Sequence, residues 1–371
     1  MTSRERLINT LEGKPADRVP VSTYELCPYN PWAFENREPS YAALMEFIRA
    51  NTDAVTMWNP DSNDRQVFSS FVPDDKYDNW DEGEFHVSRH TIHTPKRDLT
   101  QISKCTDNVI TSWNVEHICK DTADVDALMN LPFEPVQYNP GNYEEMKQNI
   151  GENGIIMPSV PDPVCCAMDI MEFGEGTVWA MTEPDHFKAT LDEMHRRSMI
   201  NLENMLSAVT NDLYRICGPE YVTPPYLSPK HFERFVFPYL CDMVELIHKH
   251  GGRARIHCHG KVGTVLQMII DTGADAIDPC EAPPDGDITL ADAKKFTDGK
   301  ITIFGNIQLK LLENGTEKEV SDYVRKCMYD AKEGGRYIIM PTAAPINIPL
   351  SPKTEANYRA YINAALEFGQ Y

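Results

Sequence analysis

The sequence predicts an α/β fold of the (β/α)8 TIM-barrel type, and three observations support this prediction. From Gly154 onward, apolar runs of strand length alternate with amphipathic runs of helical length, an order typical of parallel strands joined by right-handed crossovers. The whole chain holds about eight such strands, the number that a TIM barrel requires. No G-x-G-x-x-G or Walker motif follows any of them, which disfavours a dinucleotide-binding fold.

The N-terminal part of the chain is predicted to begin with a helical extension ahead of the first strand. Residues 1–13 have an amphipathic pattern, and Thr2 and Glu5 have the spacing of a capping box. A first strand, a helix and a second strand with the apolar composition of a fully buried strand, apart from Thr56, follow at 18–25, 41–49 and 54–58.

Residues 60–118 have a different pattern, in which charged and aromatic residues alternate without helical period. This alternation predicts antiparallel strands at 85–93, 98–104 and 108–119. We interpret 60–118 as a β-rich insertion within a single domain that spans 1–371, because α/β order resumes directly after it.

The remainder of the chain alternates helices and strands, and glycines mark the ends of several helices. The predicted helices are 122–131, 143–150, 164–173, 184–209, 228–250, 262–270, 292–296, 316–333 and a last one that begins at 351. The predicted strands are 154–158, 212–218, 253–259, 274–279, 300–304 and 337–340.

Composition restricts the partners and the compartment. A formal net charge of -21 opposes binding to nucleic acid and to anionic membranes. No apolar run has the length of a membrane span, and the N-terminus lacks the apolar core of a signal peptide. The ten cysteines are scattered and form no C-x-x-C pair, so a secreted disulfide framework is not expected. We expect a cytoplasmic protein, and a homodimer is compatible with the sequence.

The most informative stretch is His257-Cys258-His259, at the end of a predicted strand. Residues i and i+2 of a strand share a face, so the two histidines point the same way and Cys258 points the other way. The next strand ends in Cys280 and Glu281, either of which could be a third ligand. Imidazole and thiolate ligands suit zinc, and catalytic zinc commonly keeps three protein ligands. The alternative is that these are ordinary strand-end residues with satisfied hydrogen bonds.

In a TIM barrel the active site is built from the carboxyl ends of the strands. The polar and aromatic residues at the other predicted strand ends are therefore candidates too, with packing at the barrel mouth as the alternative for the aromatic ones. As catalytic residues we expect Glu220, Tyr221 and Asn306. As cofactor-binding residues we expect Tyr24, beside Glu25, together with Trp58 and Thr342.

Several of these segments together resemble the uroporphyrinogen decarboxylase superfamily, over nearly the whole chain. They are 4–21, the helix from Ser228 into His257-x-His259-Gly260, 273–276, and 290–294 with Gly305-Asn306. The resemblance implies a TIM barrel and one of two chemistries. One is cofactor-free decarboxylation of uroporphyrinogen, and the other is zinc-dependent methyl transfer to or from a corrinoid protein.

Two departures separate the chain from the best-known members. Residues 21–29 contain no arginine, whereas the decarboxylase holds its substrate with arginines at the first strand end. The methyltransferase branch has a His-x-Cys motif where this chain has His257-x-His259, and its later cysteine would fall near 342–344, where there is none. Glu220, Cys280 or Glu281 would then complete the zinc site.

The resemblance therefore implies an O-demethylase-type methyltransferase. It would move a methyl group from a methoxylated or otherwise methylated small molecule to the Co(I) of a corrinoid carried by a partner protein. Zinc would stabilise the negative charge on the departing oxygen. Two alternatives stay open: a metal-free decarboxylase or related lyase acting on a small acid, and a non-catalytic barrel that serves as a scaffold in a corrinoid complex.

Overall fold

The computed structural model describes residues 1–371 and contains fourteen α-helices and fourteen strands. The helices are α1 (Ser3–Leu11), α2 (Ala42–Asn51), α3 (Thr122–Met129), α4 (Tyr143–Ile150), α5 (Pro163–Asp169), α6 (Phe173–Thr182), α7 (Pro184–Ala208), α8 (Pro229–Phe235), α9 (Phe237–Lys249), α10 (Leu266–Asp271), α11 (Leu290–Thr297), α12 (Leu309–Asn314), α13 (Glu317–Ala331) and α14 (Pro352–Phe368). The strands are β1 (Ala54–Met57), β2 (Asp61–Ser62), β3 (Asp74–Glu82), β4 (Phe85–His93), β5 (Asp98–Cys105), β6 (Ser112–Glu116), β7 (Tyr138–Asn139), β8 (Gly154–Met157), β9 (Ser159–Pro161), β10 (Tyr214–Cys217), β11 (Ala254–His257), β12 (Ala276–Asp278), β13 (Thr302–Ile307) and β14 (Tyr337–Pro341).

The α/β class with parallel strands is confirmed. Six strands form one parallel sheet in the order β14-β13-β12-β11-β10-β9, and β1 pairs in parallel with β8. Only Pro158 separates β8 from β9. On the other side, Val21 forms an isolated parallel bridge with Ile339 of β14 and accepts a hydrogen bond from Asp53 N at 2.7 Å, just ahead of β1. The pairing thus comprises a six-stranded and a two-stranded sheet with bridging contacts between them.

The parallel strands separate two hydrophobic clusters, because successive side chains of a strand point to opposite faces. In β8, Ile155 and Met157 belong to a cluster of 11 buried residues, while Ile156 belongs to a cluster of 77. The larger cluster also holds the apolar faces of α7, α9, α13 and α14, so it lies between the strands and the helices. None of the helices combines the length and the apolar composition needed to cross a membrane.

The segment predicted as β-rich forms a four-stranded antiparallel sheet in the order β3-β4-β5-β6. Ile92 of β4 and Leu99 of β5 are a register pair, each 1% exposed, and both belong to the large hydrophobic cluster. One end of the sheet therefore packs on the α/β body. Most residues of β3 and of β6 are exposed.

Several element boundaries differ from the sequence prediction, and three of them lie in or near the segments that lead to the site. The helix predicted over 228–250 is divided at Val236 (φ -125, ψ -57), because Pro238 has no N–H to bond to the preceding turn. The single helix predicted over 164–173 is followed by a second one, α6, whose Gly174 and Gly176 lower its helix propensity. The strand predicted over 253–259 ends at His257.

Candidate active site at the carboxyl ends of the parallel strands

The candidate site is centred on His257 and His259. His257 is the last residue of β11, so His259 lies in the loop that follows and not in the strand. The two imidazole rings nevertheless pack edge to face, with their centroids 4.8 Å apart. Cys258, between them, is completely buried and belongs to the large hydrophobic cluster. The chain therefore places both rings together and buries the intervening thiol.

Each imidazole is held at its Nδ1 atom by a carboxylate from β12 or the loop after it. His257 Nδ1 lies 2.8 Å from Asp278 Oδ2, and His259 Nδ1 lies 3.0 Å from Glu281 Oε2. A carboxylate at Nδ1 keeps the proton there and leaves the lone pair on Nε2. His257 Nε2 has one long contact, 3.4 Å to the Tyr24 hydroxyl, and His259 Nε2 makes no hydrogen bond. Both Nε2 atoms are therefore placed to accept a ligand.

The charges around His257 are balanced by Asp278. Arg255 donates from Nε to Oδ1 of Asp278, and from Nη2 to Oδ2 at 2.5 Å. Burial alone would raise the pKa of Asp278, but the charges of Arg255 and His257 hold it well below its usual range. Burial lowers the pKa of His257 to about 4, so this imidazole is neutral near neutral pH. A neutral imidazole is the form that binds metals.

His259 has a different electrostatic environment. Burial acts to lower its pKa, but the hydrogen bond and the charge of Glu281 outweigh burial, so the pKa of His259 is raised. Burial would raise the pKa of Glu281, yet its hydrogen bonds with His259 and Gln308 lower it to about 2. Glu281 is therefore an ionised partner that fixes His259, and it was expected from the sequence to be a metal ligand.

Tyr24 lies beneath the histidines. It has a left-handed backbone conformation (φ 55), which is costly for a residue other than glycine and persists only where the surroundings hold it. Its ring is contacted by two guanidinium groups, with Arg215 Cζ 5.5 Å and Arg255 Cζ 6.0 Å from the ring centroid. Its hydroxyl accepts a hydrogen bond from Arg215 Nη2 at 2.7 Å. The structure thus places the predicted site residue Tyr24 beside His257 and next to two guanidinium groups.

Two cysteines lie beside the histidines, on the side of β10. Cys217 is the register partner of His257 in the neighbouring parallel strand, so both side chains leave the same face of the sheet. A Cβ atom built on Gly218 would come within 2.4 Å of Cys165 Cβ, which shows how closely α5 approaches the end of β10. The neighbouring Cys165 thiol lowers the pKa of Cys217 to about 7. A lowered pKa favours the thiolate, the form that binds zinc.

Two buried carboxyl groups adjoin these cysteines. Asp162 Oδ1 accepts a hydrogen bond from Cys165 N at 2.7 Å, and its buried Oδ2 has no partner. Glu220, which was predicted from the sequence, accepts from Gly218 N at 3.1 Å through Oε2. Burial raises the pKa of both carboxyl groups. The part of the site next to β10 therefore contains several acidic and thiol groups that are largely shielded from solvent.

Three other predicted residues have different surroundings. Cys280 is completely buried, and no hydrogen bond joins its thiol to either imidazole. The side-chain amide of Asn306 accepts a hydrogen bond from Cys280 N at 3.1 Å and donates one to Cys280 O. Asn306 therefore links β13 to the end of β12. Trp58 donates to Asn142 Oδ1 at 3.0 Å and stacks on Tyr143. The structure brings neither Asn306 nor Trp58 into hydrogen-bonding contact with the histidines.

The remaining predicted residues are distributed around the same edge of the sheet. The Tyr221 ring packs against Phe173, with centroids 5.7 Å apart. Thr342 is buried and its N donates to Ile307 O at 2.8 Å. Glu25 is half-exposed, with its Oε1 3.7 Å from Arg215 Nη1. The catalytic and cofactor-binding roles expected for these residues stay predictions.

Sequence reasoning missed Arg215, Cys217 and Asp278, although one signal was present. The chain has Arg-Ile-Cys at the end of β10 and Arg-Ile-His at the end of β11, and these triplets are register partners. An arginine two residues before a strand end lies on the same face as the last residue, which places both arginines beneath the site. Asp278 has no comparable signal, because its role depends on β12 lying beside β11.

The donor set fits a zinc ion only in part. Two imidazole Nε2 atoms with carboxylates behind them match the usual support of metal-bound histidines. No group of three or more His, Cys, Asp and Glu side chains lies close enough together to hold a metal ion. A third ligand would therefore require a side-chain movement, and Cys217 and Glu220 are the neighbouring groups with suitable atoms.

One well-defined cavity lies elsewhere, on the antiparallel sheet. It has a volume of about 530 Å³ and is lined by residues that include Trp80, His86, Lys104 and Ser112. It contains none of the strand-end residues. Because buried carboxylates, imidazoles and guanidinium groups converge at the carboxyl ends of the parallel strands, we place the candidate site there.

Comparison with known proteins identifies the family of the chain. The family model described as uroporphyrinogen decarboxylase (URO-D) matches residues 114–364, more than half of the chain. Among solved structures, a methyltransferase from Methanosarcina mazei is similar in fold, with a TM-score of 0.62 and 17% sequence identity over 99% of each chain. No curated protein matches the chain. The chain belongs to the uroporphyrinogen decarboxylase family.

Proposed function

We propose that this protein is a corrinoid-dependent methyltransferase of the O-demethylase type. It takes a methyl group from a methoxylated or otherwise methylated small molecule and delivers it to the Co(I) of a corrinoid carried by a partner protein. The observation that carries the proposal is the His257 and His259 pair, in which each Nδ1 is held by a carboxylate and each Nε2 is available. Membership of the URO-D family and the fold of the Methanosarcina mazei methyltransferase support it.

We also propose that the parallel segments close into one (β/α)8 barrel, in a single domain of residues 1–371. Support comes from the contacts that join Val21 to Ile339 on one side and to Asp53 on the other. In a closed barrel, the carboxyl ends of all eight strands face the same mouth. A partner that carries a corrinoid would approach the protein at that mouth.

The residues that would hold zinc are His257 and His259, with Cys217 or Glu220 as the third ligand. Asp278 and Glu281 would act behind the imidazoles by keeping the proton on Nδ1. Zinc bound there would act as a Lewis acid on the oxygen of the methyl donor and so improve the leaving group. The Tyr24 hydroxyl, 3.4 Å from His257 Nε2, would have to give up this contact when zinc binds there.

A second candidate is a metal-free decarboxylase or related lyase that acts on a small acid. The buried guanidinium of Arg215 favours it, since such a group can hold a substrate carboxylate. The two candidates differ in their products: carbon dioxide for the lyase, and a methylated corrinoid for the methyltransferase.

The test combines metal analysis with a spectroscopic assay. We expect about one zinc per chain in the purified protein, lost in His257→Ala and in His259→Ala while both variants remain folded by circular dichroism. Incubated with methoxylated compounds and Co(I) cobalamin or a corrinoid protein, the wild type should form methyl-Co(III). Full zinc content in both variants would refute the metal site. Donor consumption that is independent of corrinoid, or release of carbon dioxide, would support the lyase.

A further inference from the structure

The guanidinium of Arg215 is buried without a carboxylate at hydrogen-bonding distance. We propose that Arg215, Tyr24 and Ser159 form a subsite for a carboxylate group of the substrate, so that the methyl donor is a small methylated monocarboxylic acid. This inference rests on the proposed function, which it deepens by specifying the substrate class. It concerns residues that the sequence did not indicate, apart from Tyr24.

The comparison of Arg215 with Arg255 shows that Arg215 lacks a carboxylate partner within hydrogen-bonding distance. The two are register partners in β10 and β11, and both are less than 10% exposed. Arg255 makes two hydrogen bonds to Asp278, through Nε and Nη2. The only carboxylate in ion-pair contact with Arg215 is that of Glu25, at 3.7 Å from Nη1, and the Glu25 side chain is 45% exposed. A buried charge without a close partner is costly, so a protein that keeps one commonly uses it.

The donors of Arg215 are only partly used. Nη2 donates to the Tyr24 hydroxyl at 2.7 Å and Nη1 donates to Ser159 Oγ at a long 3.3 Å. Nε is buried and has no hydrogen-bond partner. A guanidinium has five N–H donors in one plane, a geometry that suits both oxygens of a carboxylate. Both partners of Arg215 are hydroxyl groups, which can also donate to an anion.

The surroundings favour a monoanion over a phosphate or a polyanion. Arg255 is neutralised by Asp278, whereas Arg215 has only the half-exposed Glu25 at 3.7 Å, so Arg215 is the less compensated of the two buried guanidinium groups. Asp162 and Glu220 lie on the same side of the site, and the whole chain has a formal charge of -21. A carboxylate carries one charge and matches one guanidinium, whereas further negative charge would meet only acidic neighbours.

The subsite lies directly beside the histidines. The Tyr24 hydroxyl touches both Arg215 Nη2, at 2.7 Å, and His257 Nε2, at 3.4 Å. The guanidinium of Arg215 and the imidazole of His257 therefore contact the same hydroxyl oxygen, that of Tyr24. If Arg215 holds the carboxylate of the methyl donor, only a few bonds can separate that carboxylate from the methylated heteroatom at the histidines. The methyl donor is therefore a small molecule.

The experiment measures binding without a corrinoid, by isothermal titration calorimetry. Two acids are compared with uncharged analogues of similar shape: methoxyacetate with 2-methoxyethanol, and 4-methoxybenzoate with 4-methoxybenzyl alcohol. We expect at least one acid to bind the wild type, and its alcohol analogue to bind at least about 30-fold more weakly. Arg215→Met should weaken binding of that acid by a similar factor, and Arg215→Lys should restore part of it. Equal affinity for acid and alcohol, unchanged affinity in Arg215→Met, or no binding of either acid would overturn the subsite.

A stability measurement separates a binding role from a structural one. Arg215→Met should leave the melting temperature unchanged or raised, because it removes a buried charge that lacks a close partner. The matched variant Arg255→Met should lower the melting temperature strongly, because it leaves Asp278 unpaired. If Arg215→Met lowered the melting temperature as much as Arg255→Met, Arg215 would be a structural residue and the subsite would be refuted.

The subsite and the proposed function can fail separately. Acid binding that depends on Arg215, without any methyl-Co(III) formation from the bound acid, would refute the methyltransferase and keep the subsite. Methyl-Co(III) formation from uncharged donors, at rates unaffected by Arg215→Met, would refute the subsite and keep the methyltransferase.

Discussion

At the scale of single residues, Asp278 has the largest number of roles in the candidate site. It pairs with Arg255, fixes the proton on His257 Nδ1 and accepts a hydrogen bond from Cys258 N through its backbone oxygen at 2.8 Å. Its side chain is completely buried. The position of His257 and the charge balance of the buried groups around it therefore depend on one carboxylate.

We predict that Asp278→Asn destabilises the protein by about 3 to 5 kcal/mol, because the change leaves Arg255 as an uncompensated buried charge. Urea unfolding followed by circular dichroism measures the effect. Asp285→Asn is a suitable control, because Asp285 forms a surface ion pair with Lys310 and should cost less than about 1 kcal/mol. Equal costs for the two variants would show that Asp278 is not needed to neutralise Arg255.

A second prediction at this scale concerns Glu281, which holds His259 Nδ1 at 3.0 Å. If His259 binds zinc, Glu281→Gln should weaken zinc affinity by about 10- to 100-fold, since the residue behind a ligand sets its orientation and basicity. Competition with a chromophoric chelator measures the affinity. The exposed Glu317 offers a control, and Glu317→Gln should leave zinc affinity unchanged. Unchanged affinity in Glu281→Gln would show that His259 does not need this carboxylate to bind zinc.

The histidine pair could be found in the sequence because its two members lie only two positions apart and both have a side chain that commonly binds metals. Arg215 and Asp278 could not be identified in that way. Their chemistry arises from pairing between strands: Arg215 with Arg255, and Asp278 with His257. Glu281 was found, but the sequence could not show whether it would contact a metal or a histidine.

At the scale of elements, prediction succeeded where burial imposes a pattern. Strands β4 and β5 and helix α4 match the expected bounds within one residue, because each has an apolar side facing the core. Strand β3, with the sequence DDKYDNWDE, was missed. Most of its residues are exposed, so it lacks the alternation of apolar and polar residues that identifies a half-buried strand.

Helix α7 gives a prediction about pH, through the contacts of Glu193 with Arg196 and Arg197. The hydrogen bond from Arg196 outweighs burial, and the pKa of Glu193 falls to about 2. A carboxyl group with a lowered pKa in the folded state adds stability above its unfolded pKa, near pH 4.5, and loses it as the pH falls toward 2. Glu193→Gln should therefore reduce stability at pH 6 and have little effect at pH 2.5.

The effect should be below about 1 kcal/mol, because the Glu193 side chain is 36% exposed and solvent screens the pair. Urea unfolding of both proteins at several pH values provides the measurement. A stability difference between them that is independent of pH would contradict the assignment to the ionised carboxylate.

At the scale of the whole molecule, the chain order predicted the α/β class and the parallel strands. The N-terminal segment is the least regular part: a strand was expected over 18–25, but only Val21 pairs with β14, and Tyr24 turns into the left-handed region. That turn places the Tyr24 ring between Arg215 and Arg255, a contact that no local pattern reveals. The departure from a regular strand thus contributes directly to the candidate site.

The formal charge of -21 gives the last prediction, because it arises from 56 acidic and only 35 basic residues. Acidic side chains repel one another across the surface, and β3 alone carries five of them beside a single lysine. Self-repulsion of this kind destabilises the compact state, and salt screens it over about 10 Å at 0.1 M. The melting temperature should therefore rise as sodium chloride is increased from 10 to 150 mM, because the screening length shortens over this range.

Choline chloride should have the same effect on the melting temperature if screening is the cause, whereas a rise with sodium alone would indicate specific cation binding. A melting temperature that falls with salt would show that favourable ion pairs, such as that of Arg4 with Asp212, outweigh the repulsion.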